Sequence, residues 1–277
     1  MATRRSMDDP RLLLSLPFRA VHFVFGLTWP DVQPLPGTAL VASLEALGIS
    51  RAAARGLLLR LRRAGAFTSS RRGRRAMYEL TPASRTLLGE ISRRATEDPL
   101  PWDGIFHAAL VTVPEGARSY REVLRRKAVY AGFGTLRPGL LIAPYETSWS
   151  TLEPVLARAP QGTRVLRAEL RLATADALAA APQVWSLDVL AAALRSESER
   201  MSAAAAQHLA APRSGPAAMA ALWEAIGPFF EAFSGQPPLP RELLPQDWPI
   251  EEARRAFQEL AVAAAPAARS YLDSLIR

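Results

Sequence analysis

The chain of 277 residues contains no cysteine. That excludes disulfide frameworks, thiolate metal sites and thiol nucleophiles, and it fits a reducing compartment. Lysine is almost absent too: of 34 basic side chains, only Lys127 is not an arginine. A GC-rich coding genome is enough to explain that bias, so an arginine alone is no sign of a phosphate contact. The three histidines, His22, His107 and His208, lie far apart and lack metal-ligand spacing. No apolar run reaches the ~20 residues that span a bilayer. Arg4, Arg5, Asp8, Asp9, Arg11 and Arg19 interrupt the first one. There is no signal-peptide layout and no Gly-x-Ser-x-Gly elbow. Gly132-x-Gly134 lacks the third glycine of a dinucleotide site. A cytoplasmic, soluble protein without a cofactor, a metal site or an enzymatic centre is expected.

One stretch lacks acids altogether. From Arg51 to Arg75 there are nine arginines and no Asp or Glu. Residues 1–95 hold 16 Arg against 6 acids, a net of +10, and residues 96–277 carry a net of −2. One end is built to approach a polyanion and the rest is not. The stretch reads as a helix from Arg51 to Ala64, capped by Ser50. Leu57, Leu58 and Leu61 give its apolar face, with Ala53 and Ala54 beneath. After Gly65, Ala66–Ser69 and Ala76–Leu80 form two short strands around a tip, Ser70 to Arg75, that turns at Gly73. A helix and a basic hairpin in this order suit a winged helix-turn-helix, in which the helix enters the DNA major groove and the wing lies on the backbone. Ser50, Arg51, Ala52 and Arg55 would sit at base edges or phosphates. Arg60 and Arg62 would reach phosphates, and Arg71, Arg72, Arg74 and Arg75 would hold the wing.

The rest of the chain is organised around that stretch. Residues 1–14 are expected as a loose arm, Phe18–Leu27 as a first helix and Pro30–Gly37 as a loop. Thr38 would cap a second helix, Ala39–Leu47, ended by Gly48. Thr81-Pro82 opens a further helix to about Arg94. Residues 15–95 thus form a complete winged-helix domain. After a linker, residues 102–180 carry strands at Ile105–Val113, Gly139–Ala143 and Val165–Leu172. Helices at Arg118–Tyr130 and Ser150–Ala159 separate them, with Val123, Leu124, Ala128 and Val129 facing inward on the first. That alternation predicts a ferredoxin-like α+β domain. Residues 183–277 read as helical, with helices at Leu187–Leu209, Ala217–Phe233, Ile250–Ala264 and Ala267–Ile276. The fold class is therefore α+β and multidomain.

Several phrases resemble the PaaX family of bacterial repressors. They are Gly48-Ile49-Ser50 with Ala53, Arg55, Leu58, Arg60-Leu61 and Gly65; Trp102-Asp103-Gly104; Gly132-Phe133-Gly134 with Pro138-Gly139; Trp185-Ser186-Leu187; and Leu239-Pro240, Leu243-Leu244-Pro245 and Trp248-Pro249. They follow one another over nearly the whole chain. The resemblance implies a winged helix, a middle domain like the ferredoxin-fold nuclease of CRISPR adaptation, and a helical C-terminal domain. It also implies a homodimer that represses an aromatic-acid catabolic operon of the phenylacetate type. Because one short helix reads too few bases, such a dimer would bind an inverted-repeat operator in double-stranded DNA. Its effector would be phenylacetyl-CoA or a related acyl-CoA.

An acyl-CoA would need cations for its phosphates and an apolar pocket for its acyl group. Arg121 and Arg125, beside Arg126 and Lys127, are candidates for the first, and Trp185 and Trp223 for the second. The plainer alternatives are a solvated charged face and core tryptophans. Two other classes of function stay open at this point. A metal-dependent nuclease would need an acid at the end of the first middle-domain strand, where Val113-Pro114 stands with Glu115 beyond. A protein-interaction adaptor would use the winged helix for partner contacts.

Overall fold

The structure, a computed structural model, describes residues 16–146, 148–234 and 239–277. The arm expected at residues 1–14 lies outside them. The chain packs as two compact units.

The first unit joins the chain up to Thr96 with Leu194–Ser234 and Ile250–Arg277. It opens with helix α1 (Leu16–Gly26), strand β1 (Leu35–Pro36), α2 (Gly37–Ala46) and α3 (Arg51–Arg63). The hairpin β2 (Phe67–Arg72) and β3 (Arg75–Leu80) follows, then α4 (Pro82–Thr96). The three strands form an antiparallel sheet in the order β1-β3-β2. β1 lies in the stretch expected as a loop. Its Pro36 is tolerated because it sits on an edge strand, where one row of N–H groups has no partner strand. The expected cap at Thr38 is not used: α2 starts at Gly37 directly off the strand, with Pro36 at the N-cap position and no side-chain cap bond.

The ends of α2 and α3 share one geometry. Gly48 N–H donates to Glu45 O at 3.0 Å and Ile49 N–H to Leu44 O at 3.0 Å, with Gly48 at φ 82°. Gly65 N–H donates to Arg62 O at 3.1 Å and Ala66 N–H to Leu61 O at 2.9 Å, with Gly65 at φ 85°. This is the Schellman closure, which needs a left-handed residue that glycine supplies without a Cβ clash.

In the second unit, Glu97–Ala193 and Gly235–Pro249, the order is β4 (Phe106–Thr112), α5 (Arg118–Tyr130), β5 (Gly134–Arg137), β6 (Leu140–Ala143), α6 (Ser148–Leu156) and β7 (Arg164–Leu170). The antiparallel sheet runs β5-β6-β4-β7, the strand order of a ferredoxin-like βαββαβ unit. β5 escaped the sequence reading because it is four residues long and carries a bulge between Thr135 and Arg137. Alternation along β4 divides the core. Phe106 and Ala108 pack with Ile142, Trp185 and Leu243, and Ala109 packs with Leu124, Ala128 and Phe133 on the other face. On α5, Leu124 and Ala128 are buried as expected, but Val123 and Val129 are exposed. Each sits one residue from that buried pair and so turns off the stripe by ~100°.

α7 (Thr174–Trp185) follows β7, and Ser186, at φ 52°, separates it from α8 (Leu187–Ala210). α9 (Gly215–Ser234) runs through Pro228. α10 (Ile250–Ile276) is one helix where two were expected, and it continues through Pro266. A proline removes the bond to the residue four back. Here that residue is Val262, which is 79 % exposed, so water can serve its carbonyl. No single helix among the described residues is long and apolar enough to cross a bilayer.

Candidate nucleic-acid interface

α3 is fixed at both ends and along one side. Ser50 Oγ accepts the Ala53 N–H at 3.4 Å, and Gly65 closes the other end. Ala54, Leu57, Leu58 and Leu61 are buried, each of the leucines contributing about 1.5–3 kcal/mol by leaving water. Ala53, expected beneath that face, is exposed instead, because the stripe is centred on Ala54 and Leu58. Opposite the stripe, Ala52, Gly56, Leu59 and Arg63 follow at steps of four, three and four. Arg51, Arg55 and Arg62 flank that ridge on one side and Arg60 on the other. Sequence reasoning passed over Arg63, although its spacing from Ala52 and Leu59 already placed it on the outward ridge.

The hairpin projects from a buried base. Phe67 and Leu80 are buried and directly paired, while Arg71, Arg72, Arg74 and Arg75 are all exposed. The strands run further into the tip than expected: Arg72 pairs with Arg75, leaving a two-residue loop of Gly73 and Arg74. Gly73 has φ 60°, the sign a type II′ turn needs at its first central residue.

Three contacts tie these basic residues to the fold. Arg62 Nη1 donates to Ser69 Oγ at 3.1 Å, joining α3 to the hairpin. Arg75 Nη1 donates to the Ile276 carbonyl at 3.3 Å, joining the hairpin to the end of α10. Arg51 forks onto the Glu45 carboxylate with Nε and Nη2 at 3.0–3.1 Å. Those hydrogen bonds, then the carboxylate's charge, raise the Arg51 pKa above its ordinary value. Arg51 is thus exposed but half neutralised. Arg55, Arg60, Arg63, Arg71, Arg72 and Arg74 have no ion-pair or hydrogen-bond partner among the described residues. Cations gathered in this way repel one another and are relieved by a polyanion.

The residues considered for an acyl-CoA do not share such a surface. Arg121 donates to the carbonyls of Val113 and Pro114 at 3.4 and 3.1 Å. Arg125 is paired with Glu122 at 3.0 Å. Both lie on α5, which packs against one face of the four-stranded sheet, whereas Trp185 is buried on the opposite face. The Trp185 indole N–H is taken by the Gly132 carbonyl at 3.2 Å. Trp223 belongs to the first unit, its ring 5.2 Å from that of Phe23. The sheet therefore separates the two arginines from Trp185. Among the described residues, no group of three or more His, Asp or Glu side chains could hold a metal ion.

Comparison with known proteins adds a second line of observation. Three models of one family match consecutive parts of the chain: PaaX-like protein over residues 27–84, the PaaX protein central Cas2-like domain over 99–177, and the PaaX-like protein C-terminal domain over 185–274. The chain belongs to the PaaX family. The first match contains α2, α3 and the hairpin, and the second contains the whole four-stranded sheet. A curated relative, the transcriptional repressor PaaX of Escherichia coli (strain K12), is 32 % identical over 108 residues, which span 38 % of this chain and 33 % of that protein. Among solved structures, the uncharacterized protein Rv0674 from Mycobacterium tuberculosis matches with a TM-score of 0.57 at 22 % identity, covering 93 % of this chain and 97 % of that one. An identity that low speaks to the fold alone.

Proposed function

We propose that the protein is a transcriptional regulator that binds double-stranded DNA sequence-specifically and represses a catabolic operon in the cytoplasm. On this reading α2, α3 and the β2–β3 hairpin are a winged helix-turn-helix. α3 enters the major groove, with Ala52 and Leu59 available to thymine methyl groups and Arg55 to a guanine edge. Arg60, Arg62 and Arg63 reach flanking phosphates, and Arg71, Arg72 and Arg74 hold the backbone. The observation that carries the reading is the acid-free run of nine arginines from Arg51 to Arg75, all exposed on one helix and the hairpin beside it. The similarity to the Escherichia coli transcriptional repressor supports the same function.

One short helix reads too few bases for a unique address, so a homodimer on an inverted repeat belongs to the proposal. So does release by an aryl-acyl-CoA, with phenylacetyl-CoA the first to try, as the family resemblance implies. Fluorescence anisotropy on DNA from upstream of the protein's own gene tests this against scrambled DNA, with and without phenylacetyl-CoA, at about physiological salt. Tight binding to the native sequence alone, released by the thioester, is the expected outcome. Equal weak binding to both DNAs would remove the sequence-specific regulator.

A further inference from the structure

Within the first unit, α1, α4, α9 and α10 line a cavity of about 540 Å³. That volume falls in the range of about 300–1,000 Å³ common for small-molecule sites. Phe23, Trp29, Phe230 and Phe257 give it aromatic walls, and Leu88 and Leu222 add aliphatic ones. Two lining groups are polar in an informative way. His22 is buried, and its Nδ1 donates to the Phe18 carbonyl at 3.0 Å. Burial pushes its pKa down to about 4, so the ring is neutral and Nε2 is left as an acceptor. That Nε2 is buried without a hydrogen-bond partner, and a buried acceptor left unmatched is destabilising. Arg269, from α10, is exposed where it lines the cavity and has no partner among the described residues.

Two of the four helices are wired to the basic surface. Thr81 precedes α4, and its hydroxyl donates to the Gly65 carbonyl at the end of α3, at 2.9 Å. α10 holds the hairpin through the bond from Arg75 to the Ile276 carbonyl. A shift of either helix therefore reaches α3 or the hairpin through a direct hydrogen bond.

We infer that this cavity is the site of a regulatory ligand, a ring-bearing organic anion, whose presence is felt at α3 and the hairpin through α4 and α10. The ring packs among the aromatic walls and the anionic group pairs with Arg269. A donor on the ligand would satisfy His22 Nε2. The regulatory half of the inference rests on the DNA-binding reading, and the seating of the ligand does not.

The test uses the full chain and 1-anilinonaphthalene-8-sulfonate, a ring-bearing anion, beside its neutral analogue N-phenyl-1-naphthylamine. The sulfonate should bind once per chain with enhanced fluorescence. Ala261→Phe, which fills the cavity, should weaken it at least about tenfold, and Arg269→Ala should weaken it about fivefold while leaving the neutral analogue unchanged. Sulfonate binding to both variants as to the parent overturns the site. If Ala261→Phe does not fold by circular dichroism, Arg269→Ala at its exposed position decides alone. In the anisotropy experiment the sulfonate should change operator affinity at least about threefold in the parent and not in Ala261→Phe. A sulfonate seated in the cavity with no change in operator affinity overturns the regulatory half. A protein that binds no operator at all removes the DNA-binding reading, and fluorescence still decides whether the cavity takes the anion.

Discussion

Helices α3 and α5 look alike in one dimension and differ in three. Each has 13 residues and five basic side chains, and each ends in a glycine closure, at Gly65 and at Gly132. The difference is a single acid. Glu122 on α5 holds Arg125 at 3.0 Å and Arg126 at 3.7 Å. Arg121 turns back onto two carbonyls, and Lys127 is buried. α3 has no acid of its own, and only Arg51 finds one nearby, at Glu45. Charge count alone would have ranked the two helices equal. What separates them is how many of the cations already have partners: on α5 the exposed Arg118 alone has none among the described residues, and a paired arginine releases few counterions and gains little from a phosphate.

The largest effect should come from removing unpartnered charge. Arg72→Ala with Arg74→Ala should weaken binding to every duplex about a hundredfold at low salt and lower the log–log salt slope by about two. Arg121→Ala with Arg125→Ala, the matching change on α5, should leave both quantities where they were. Equal losses in the two double variants would break the comparison. A sharper test makes α3 resemble α5. Ala52→Glu places a carboxylate three residues before Arg55, the relation of Glu122 to Arg125. DNA affinity should drop about thirtyfold, while the acid in the helix's first turn adds about 0.3–1 kcal/mol of stability through the helix dipole. A melting temperature that does not fall, measured beside the anisotropy, separates this from unfolding.

Much of α3 was legible because its determinants are local. The Ser50 cap, the Leu57–Leu58–Leu61 stripe and the glycines at 48, 65 and 73 each act within a few residues. The ferredoxin-like order was legible in outline for the same reason. The losses have different causes. Thr38 is a good capping residue, but α2 starts off strand β1, and that strand exists only because β3, some forty residues later, pairs with it. Arg75, offered as a wing cation, is exposed on the hairpin, but its further bond to the Ile276 carbonyl closes a sequence separation of 201 residues that no local pattern announces. The joining of residues 194–234 and 250–277 to the N-terminal helices, and the cavity that results, depend on packing between distant segments that no local pattern encodes. Sequence also offered Arg125 for the phosphates of an acyl-CoA and Trp185 for its acyl group, and a β-sheet lies between them.

Arg55 tests whether the unpartnered face reads bases or only phosphates. It sits one turn into α3, near the end that points at base edges when such a helix docks. Arg55→Ala should change the ranking of operator variants, shrinking the preference for one base pair by about tenfold. Binding measured across a panel of single-base variants checks this. A uniform loss over the panel would make Arg55 a phosphate contact and leave discrimination to Ala52, Leu59 and the DNA's own shape.

The smallest expected effect is a gain. Glu45 is the one acid that makes part of α3 behave like α5, and Glu45→Gln would release Arg51 from it. Operator affinity should rise about two- to threefold at low salt, with a salt slope steeper by up to about one. The cost in stability should be under about 1 kcal/mol, because the pair is exposed and screened. Tyr271 provides an internal check on the charge change. Burial, and after it the Glu45 carboxylate, hold its phenol above the ordinary tyrosine value, so spectroscopic titration should show it ionising at lower pH in Glu45→Gln. A lowered Tyr271 pKa with unchanged DNA affinity would mean that Arg51 stays off the DNA even when free. The contrast between the two helices would then rest on Arg55, Arg60, Arg62 and Arg63.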